Sequence, residues 1–115
     1  MRLSIIIPTY KQNSYYLYQC ISSIFNQYNF DYTNLEVILV KDDLEPRSTL
    51  DSVKNFPLKI VQVPRNLGCG GARQLGLKYA TGDLIYFMDS DDFLFSCYSL
   101  NHITKVIEDN PNKLG

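Results

Sequence analysis

Carboxylates at close spacing follow an apolar stretch late in the chain. Asp89, Ser90, Asp91 and Asp92 come directly after the apolar run 84–88. Since side chains two apart in extended chain project to the same side, Asp89 and Asp91 can face one ligand together. Mg²⁺ and Mn²⁺ accept one or two carboxylates and complete their coordination with water and substrate phosphates. The spacing predicts a metal–diphosphate site, with an acidic turn or a helix cap as the alternative.

Two other polar positions follow earlier apolar runs. Asp42 and Asp43 end the second run, where a carboxylate can accept the imide N–H of uracil or bind a ribose hydroxyl. The alternative is a solvated turn leading to Pro46. Tyr10, after the first run, offers a ring for base stacking, worth about 1–3 kcal/mol where it has been measured. The alternative is that it packs without a ligand, as one of nine tyrosines.

A glycine-rich segment precedes a predicted helix. It contains Gly68, Gly70 and Gly71, and Arg73 follows within the first turn of the expected helix. Backbone N–H groups and the helix dipole favour an anion at such a point, and Arg73 adds a positive charge. The alternative is a closely packed turn with Arg73 in solvent.

The elements that position these residues alternate along the chain. Strands are predicted over 3–7, 35–40, 58–63 and 84–88, and helices from Asn13 or Ser14, from Pro46, from Gly70 and from Ser99. The first helix is expected to bury a face running from Leu17 to Tyr28. In the third, Tyr79 is expected to face inward, and Gly82 to follow its end as the C′ residue.

Strand–helix alternation of this kind predicts the α/β class, a Rossmann-like and mostly parallel sheet with flanking helices. We expect one domain over residues 1–115. Ligands of such sheets bind beyond the carboxyl ends of the strands, where the candidate residues lie.

The bulk composition excludes several classes of function. The chain has 115 residues, 45% hydrophobic and 20% charged, with a net charge of −1, so no nucleic-acid partner is expected. Three cysteines without a metal-binding spacing suit reduced thiols in the cytoplasm. No signal peptide or membrane-spanning run is visible, which leaves a cytoplasmic location, including the inner face of a membrane, as the expectation.

Four segments together resemble the family-2 glycosyltransferases of the GT-A fold. They read SIIIPTY at 4–10, VILVKDD at 37–43, NLGCGGARQLG at 66–76 and GDLIYFMDSDD at 82–92, in the order of the family. Lys11 replaces the usual asparagine, and Leu44 and Glu45 stand where glycine and serine are usual.

The resemblance implies that the chain binds a nucleotide sugar, with a UDP-sugar as the expected donor and Mn²⁺ or Mg²⁺ as cofactor. Asp91 would be the principal metal ligand, Asp89 would face the ribose or the metal, Tyr10 would lie against uracil and Asp42 would meet the base edge. The implied binding residues are Pro8, Thr9, Tyr10, Asp42, Arg73, Asp89, Ser90 and Asp91.

In this family an acidic general base follows the strand that leads into the Asp-x-Asp motif, here Asp89 to Asp91, and lies in the acceptor-binding half. No residue of 96–115 is placed for that role, because Glu108 and Asp109 end an amphipathic helix. We therefore expect the chain to bind donor and metal but to transfer sugar poorly, to a saccharide or lipid-linked acceptor. An apolar sheet edge left open would favour self-association into homo-oligomers.

Three other functions compete with this interpretation. A non-catalytic nucleotide-binding module would use the same pocket. A dinucleotide-dependent oxidoreductase would suit the glycine cluster, but Arg73 occupies the third glycine position and the turn follows the third strand. A phosphatase with an aspartate nucleophile would suit the Asp-x-Asp, but that motif follows the fourth strand here and Phe93 comes after it.

Overall fold

The computed structural model describes residues 2–109. Its elements are β1 (Leu3–Thr9), α1 (Ser14–Phe25), a 3₁₀ helix (Tyr32–Asn34), β2 (Leu35–Lys41), a second 3₁₀ helix (Arg47–Val53), β3 (Lys59–Gln62), α2 (Gly68–Tyr79), β4 (Leu84–Phe87) and α3 (Ser99–Asp109). Among these residues, no helix combines the length and the hydrophobicity that crossing a bilayer requires.

The four strands form one parallel sheet in the order β3-β2-β1-β4. At the centre of the sheet, Ile6 of β1 lies beside Ile38 of β2 on one side and beside Phe87 of β4 on the other. All strands point the same way, so the segments that follow β1, β2 and β4 meet at one edge of the sheet. The predicted α/β class and Rossmann-like sheet are confirmed.

Apolar side chains cover both faces of the central strands. Ile5 and Ile7 point to one face and pack in a buried cluster with Leu17, Ile21 and Ile24 of α1. On the other face, Ile6 and the buried residues beside it on β2 and β3 pack with Ala72 of α2. The alternation along β1 and the helical spacing on α1 account for the packing of helices on both faces of the sheet.

Helix boundaries differ from the predicted ones at three places. Helix α1 ends at Phe25, so Tyr28 lies beyond it and is exposed. Helix α2 begins at Gly68 and ends at Tyr79, whose ring is half-exposed and does not face inward. Gly82 is not the C′ residue, because Ala80 caps the helix in extended backbone. Gly82 has no side chain and therefore approaches β1 closely, since a Cβ at this position would lie 2.5 Å from Ser4 Oγ.

Strand β4 is more exposed than its apolar sequence predicts. Ile85, Tyr86 and Phe87 keep 37%, 38% and 40% of their surface in solvent. The reason is position: β4 lies at the margin of the sheet, and no other strand within residues 2–109 pairs with its outer edge.

Helix α1 and the residues just after it hold the segment 89–100 in place. Cys20 Sγ donates to the Asp89 carbonyl at 3.6 Å, and Ser23 Oγ accepts the Leu94 N–H at 2.9 Å. Buried Gln27 accepts the Leu100 N–H at 2.8 Å and donates to the Ser96 carbonyl at 3.0 Å. The acidic segment is therefore fastened to α1 across the sheet end.

Candidate functional site

An open cavity of about 650 Å³ lies at the carboxyl edge of the sheet. This volume falls in the range of about 300–1,000 Å³ that is usual for small-molecule sites. Every predicted binding residue except Arg73 lines it. The lining residues are Pro8, Thr9, Tyr10, Gln12, Asp42, Asn66, Gly68, Cys69, Asp89, Ser90 and Asp91.

The acidic end of the cavity brings three carboxylates together. Asp89, Asp91 and Asp92 are exposed, and one oxygen from each lies within 4.8 Å of the others. Ser90 between them is buried, and its Oγ accepts a hydrogen bond from Gln12 Nε2 at 3.0 Å. Exposed carboxylates at this spacing are the oxygen donors that Mg²⁺ and Mn²⁺ prefer, so the residues present fit a divalent cation.

Arg73 lies beside the cavity without lining it. Because α2 begins two residues earlier than predicted, Arg73 falls in its second turn. Its Nη2 atom lies 3.4 Å from Asp89 Oδ1, and its guanidinium lies 5.7 Å from the centre of the Phe87 ring. The guanidinium therefore offsets part of the negative charge at the acidic end, modestly because both partners are solvent-exposed.

Tyr10 follows β1, Asp42 follows β2, and both line the same cavity as the carboxylates. Tyr10 is 54% exposed at the rim, while Asp42 is buried. Asp42 Oδ1 accepts the Leu67 N–H at 2.7 Å, and its carbonyl accepts Asn66 Nδ2 at 3.2 Å. Within the described part of the chain, Asp42 Oδ2 receives no hydrogen bond. That oxygen is left as an acceptor for a bound group.

The start of α2 forms a third side of the cavity. Gly68 has a φ of 76°, a left-handed conformation that the turn into the helix requires and that glycine adopts without strain. The N-cap residue Leu67 makes no side-chain capping bond. The Gly68 N–H donates to Asn66 Oδ1 at 3.1 Å, whereas the next N–H groups of the first turn have no intrahelical partner and would favour an anion.

Four lining residues were missing from the predicted binding set. Asn66, Gly68 and Cys69 belong to the glycine-rich segment, and that motif was the signal that placed them nearby. Gln12 belongs to no motif. It lines the cavity because the loop after β1 passes the segment after β4, a proximity that the strand order alone determines.

The parallel sheet brings the carboxylates after β4, the start of α2 and the ring of Tyr10 to one cavity at its carboxyl edge. The chain belongs to glycosyl transferase family 2, whose family profile matches residues 4–114. The resemblance drawn from the four sequence segments is thereby confirmed.

Three similar proteins illustrate the relationship. An uncharacterized glycosyltransferase of Haemophilus influenzae is 39% identical over 97 residues, which are 80% of this chain and 37% of that protein. A structure of residues 1–349 of Staphylococcus aureus TarS in complex with UDP-GlcNAc has a TM-score of 0.82 at 33% identity, covering 96% of this chain and 32% of that one. A Pyrobaculum calidifontis mannosyltransferase in complex with GDP-Man and Mn²⁺ has a TM-score of 0.80 at 23% identity, covering 92% and 32%.

The two structures confirm the GT-A fold, and at 23% identity the second shows the fold alone. The chain spans between 12% and 37% of the lengths of the first three curated relatives that it matches.

Proposed function

We propose that this chain binds a nucleotide-sugar donor, a UDP-sugar, through a divalent cation held by Asp91 and Asp89. It would serve as the donor-binding part of a glycosyltransferase acting on a saccharide or lipid-linked acceptor. One observation carries the proposal: the carboxylates after β4, the ring of Tyr10 and the buried Asp42 line a single cavity.

Each side of the cavity suits one part of the donor. Mn²⁺ or Mg²⁺ held by Asp89 and Asp91 would offset part of the negative charge of the diphosphate, and the start of α2 would favour an anion beside it. The Tyr10 ring would stack on uracil, and Asp42 Oδ2 would accept the imide N–H. Pro8 and Thr9 complete the wall on the β1 side, and Arg73 would act on the nucleotide by way of Asp89.

Transfer requires a group that removes the proton of the acceptor hydroxyl. Within the described residues, none after Asp91 lines the cavity. We therefore expect these residues to bind donor and metal while transferring sugar poorly. We also expect a cytoplasmic location, in keeping with Cys20, Cys69 and Cys97, none of which forms a disulfide.

Titration with UDP in the presence and absence of Mn²⁺ tests the proposal. A separate titration with NADH is the control for the oxidoreductase interpretation. UDP is expected to bind only when Mn²⁺ is present, and Asp91→Asn is expected to weaken that binding at least about tenfold, or about 1.4 kcal/mol. Asp51→Asn, an exposed acid on the 3₁₀ helix Arg47–Val53 that lines no part of the cavity, is the matched control.

NADH binding in place of UDP would favour the oxidoreductase interpretation. UDP binding that is indifferent both to Mn²⁺ and to Asp91→Asn would rule out the metal-dependent donor site.

A further inference from the structure

We propose that Lys41 and Asp43 form a buried positioning unit that fixes the loop Tyr10–Lys11 and so orients the Tyr10 ring for a nucleobase. The inference rests on the proposed function, because it assigns Tyr10 to base stacking. Neither Lys41 nor Asp43 lines the main cavity, so both would act through the loop and not by contact with the ligand.

Lys41 is the last residue of β2 and is only 1% exposed. A buried ammonium is unfavourable unless its protons are paired. Lys41 Nζ donates to Asp43 Oδ1, to the Asp43 carbonyl at 3.2 Å and to the Glu45 carbonyl. These acceptors match the three N–H groups of a lysine, so the turn 43–45 is folded back over the strand end around one cation.

Asp43 extends this arrangement to the neighbouring loop. Its Oδ1 also accepts the Glu45 N–H at 3.0 Å, and its Oδ2 accepts the Lys11 N–H at 2.8 Å. Burial acts to raise the pKa of Asp43, but the Lys11 N–H, the Lys41 ammonium and the Glu45 N–H together lower it below its ordinary 3.8. Asp43 is therefore an anion at neutral pH and ties two loops to one buried cation.

The bond to Lys11 matters because of the backbone at that residue. Lys11 has a φ of 47°, a left-handed conformation that is unfavourable for a residue with a side chain. The bend directs the chain past the rim where Tyr10 lies, and Lys11 Nζ sits 5.4 Å from the centre of the Tyr10 ring. Holding the Lys11 N–H therefore holds the backbone from which the Tyr10 ring projects.

Preorganisation of this kind affects one part of the ligand more than another. A loop that is ordered before binding loses little conformational freedom on binding, whereas a loose loop is ordered at the expense of affinity. The pair should therefore raise affinity for a base-bearing ligand and leave affinity for the metal and diphosphate unchanged.

The test replaces both charges at once, Lys41→Met with Asp43→Leu, because removing one partner would leave the other charge buried and unpaired. Affinities for UDP with Mn²⁺ and for pyrophosphate with Mn²⁺ are measured by calorimetry. UDP is expected to bind at least about fivefold more weakly, and pyrophosphate within about twofold of wild type. Adding Tyr10→Ala to the double variant is expected to have no further effect.

Two controls separate positioning from general loss of structure. Glu45→Gln removes the exposed charge 3.8 Å from Lys11 Nζ but keeps the carbonyl that accepts Lys41, and is expected to bind UDP like wild type. Amide hydrogen exchange in the free protein is expected to accelerate at Lys11 in the double variant, while Ile5 and Ile7 stay protected.

Three affinity results would each overturn the inference. They are an unchanged UDP affinity in the double variant, a loss of pyrophosphate affinity equal to that of UDP, and a Tyr10→Ala effect as large in the double variant as in wild type. Unchanged exchange at Lys11 would overturn it as well. A wild-type protein that binds no UDP would instead remove the proposed function and the role given to Tyr10. Hydrogen exchange at the Lys11 amide would still decide whether Asp43 tethers the loop.

Discussion

The three thiols of the chain lie at different places relative to the acidic residues. Cys20 is buried beneath them; burial above all, and then the charges of Asp92, Asp91 and Asp89, raise its pKa to about 12. Cys69 is exposed and lines the cavity, whereas Cys97 is exposed outside it. Since the thiolate is the reactive form, Cys20 should be inert and the two exposed thiols should be available to reagents.

This contrast makes Cys69 a reporter of occupancy. Alkylation of Cys69 by iodoacetamide is expected to slow several-fold when UDP and Mn²⁺ are present, because the ligand covers the thiol. Labelling of each cysteine is followed by peptide mass spectrometry, and Cys97 is the internal control. Equal protection of Cys69 and Cys97, or none at either, would contradict the placement of the nucleotide beside the start of α2.

The sequence predicted the acidic motif, Tyr10 and Asp42 as site residues because each follows an apolar run. It did not predict the burial of Lys41. A lysine at a strand end is ordinarily solvated, and its burial here depends on carbonyls two and four residues later folding back over it. Such a turn leaves no periodic signal in the sequence.

Among the elements, Glu36 on β2 is a junction between separate parts of the chain. Its Oε2 accepts Ser4 Oγ of β1 at 2.5 Å, and the Thr81 N–H at 2.7 Å from the turn before β4. Burial acts to raise the pKa of Glu36, but the bonds from Ser4 and Thr81 and the charge of Arg2 lower it below its ordinary 4.5. The carboxylate form therefore joins three segments.

Stability should consequently fall in acid. A carboxylate whose pKa is lower in the folded state stabilises the fold above its unfolded pKa, and this contribution is lost as the pH falls through the folded value. For Glu36 the loss begins below about 4.5. Thermal unfolding from pH 7 to pH 3 should show a smaller decline for Glu36→Gln than for wild type. A parallel decline in both proteins would exclude Glu36 as a source of acid sensitivity.

Helix α2 approaches the sheet closely at Gly76. A Cβ there would lie 2.5 Å from Ile6 Cγ2 and 3.2 Å from Val40 Cγ2, so Gly76→Ala is expected to destabilise the fold by about 1–3 kcal/mol. A Cβ at Gly70 meets nothing within 4 Å, so Gly70→Ala should be neutral or stabilising, by up to about 1 kcal/mol. Urea unfolding compares the two, and equal effects would contradict the packing described for α2.

The sequence predicted the order of the four strands and the three α-helices, because apolar runs and helical spacing are local properties, but it did not predict the 3₁₀ helix Tyr32–Asn34. It missed where α2 begins and why Gly82 is glycine. Both depend on contacts between distant segments: Leu67, just before the helix, donates its N–H to Asp42 Oδ1, and Gly82 lies against Ser4.

At the scale of the molecule, several exposed apolar side chains of the described residues lie on or directly after β4. Ile85 and Tyr86 lie on the marginal strand, and Phe93 and Phe95 follow it, with Phe95 91% exposed. Exposed apolar strands at a sheet edge are templates for pairing with another chain. We therefore infer that the exposed apolar surface of β4 and of the residues after it favours self-association.

We expect the 115-residue chain to form concentration-dependent oligomers through this surface. Ile85→Lys combined with Phe95→Ser should shift the population to monomer, as measured by light scattering coupled to gel filtration. Leu77→Gln, which removes a similarly exposed apolar side chain from α2, is the control and should leave the distribution unchanged. A wild-type chain that stays monomeric at every concentration would refute this expectation.

The attachment of residues 89–100 to Cys20, Ser23 and Gln27 has a thermodynamic consequence for an incoming cation. The main chain around the three carboxylates is already tethered to a helix, so a metal ion bound there would order side chains alone, at little cost in backbone entropy. Mn²⁺ should accordingly leave the helical circular dichroism signal almost unaltered. In this protein the rigidity of the acidic end originates in a helix more than sixty residues earlier in the chain.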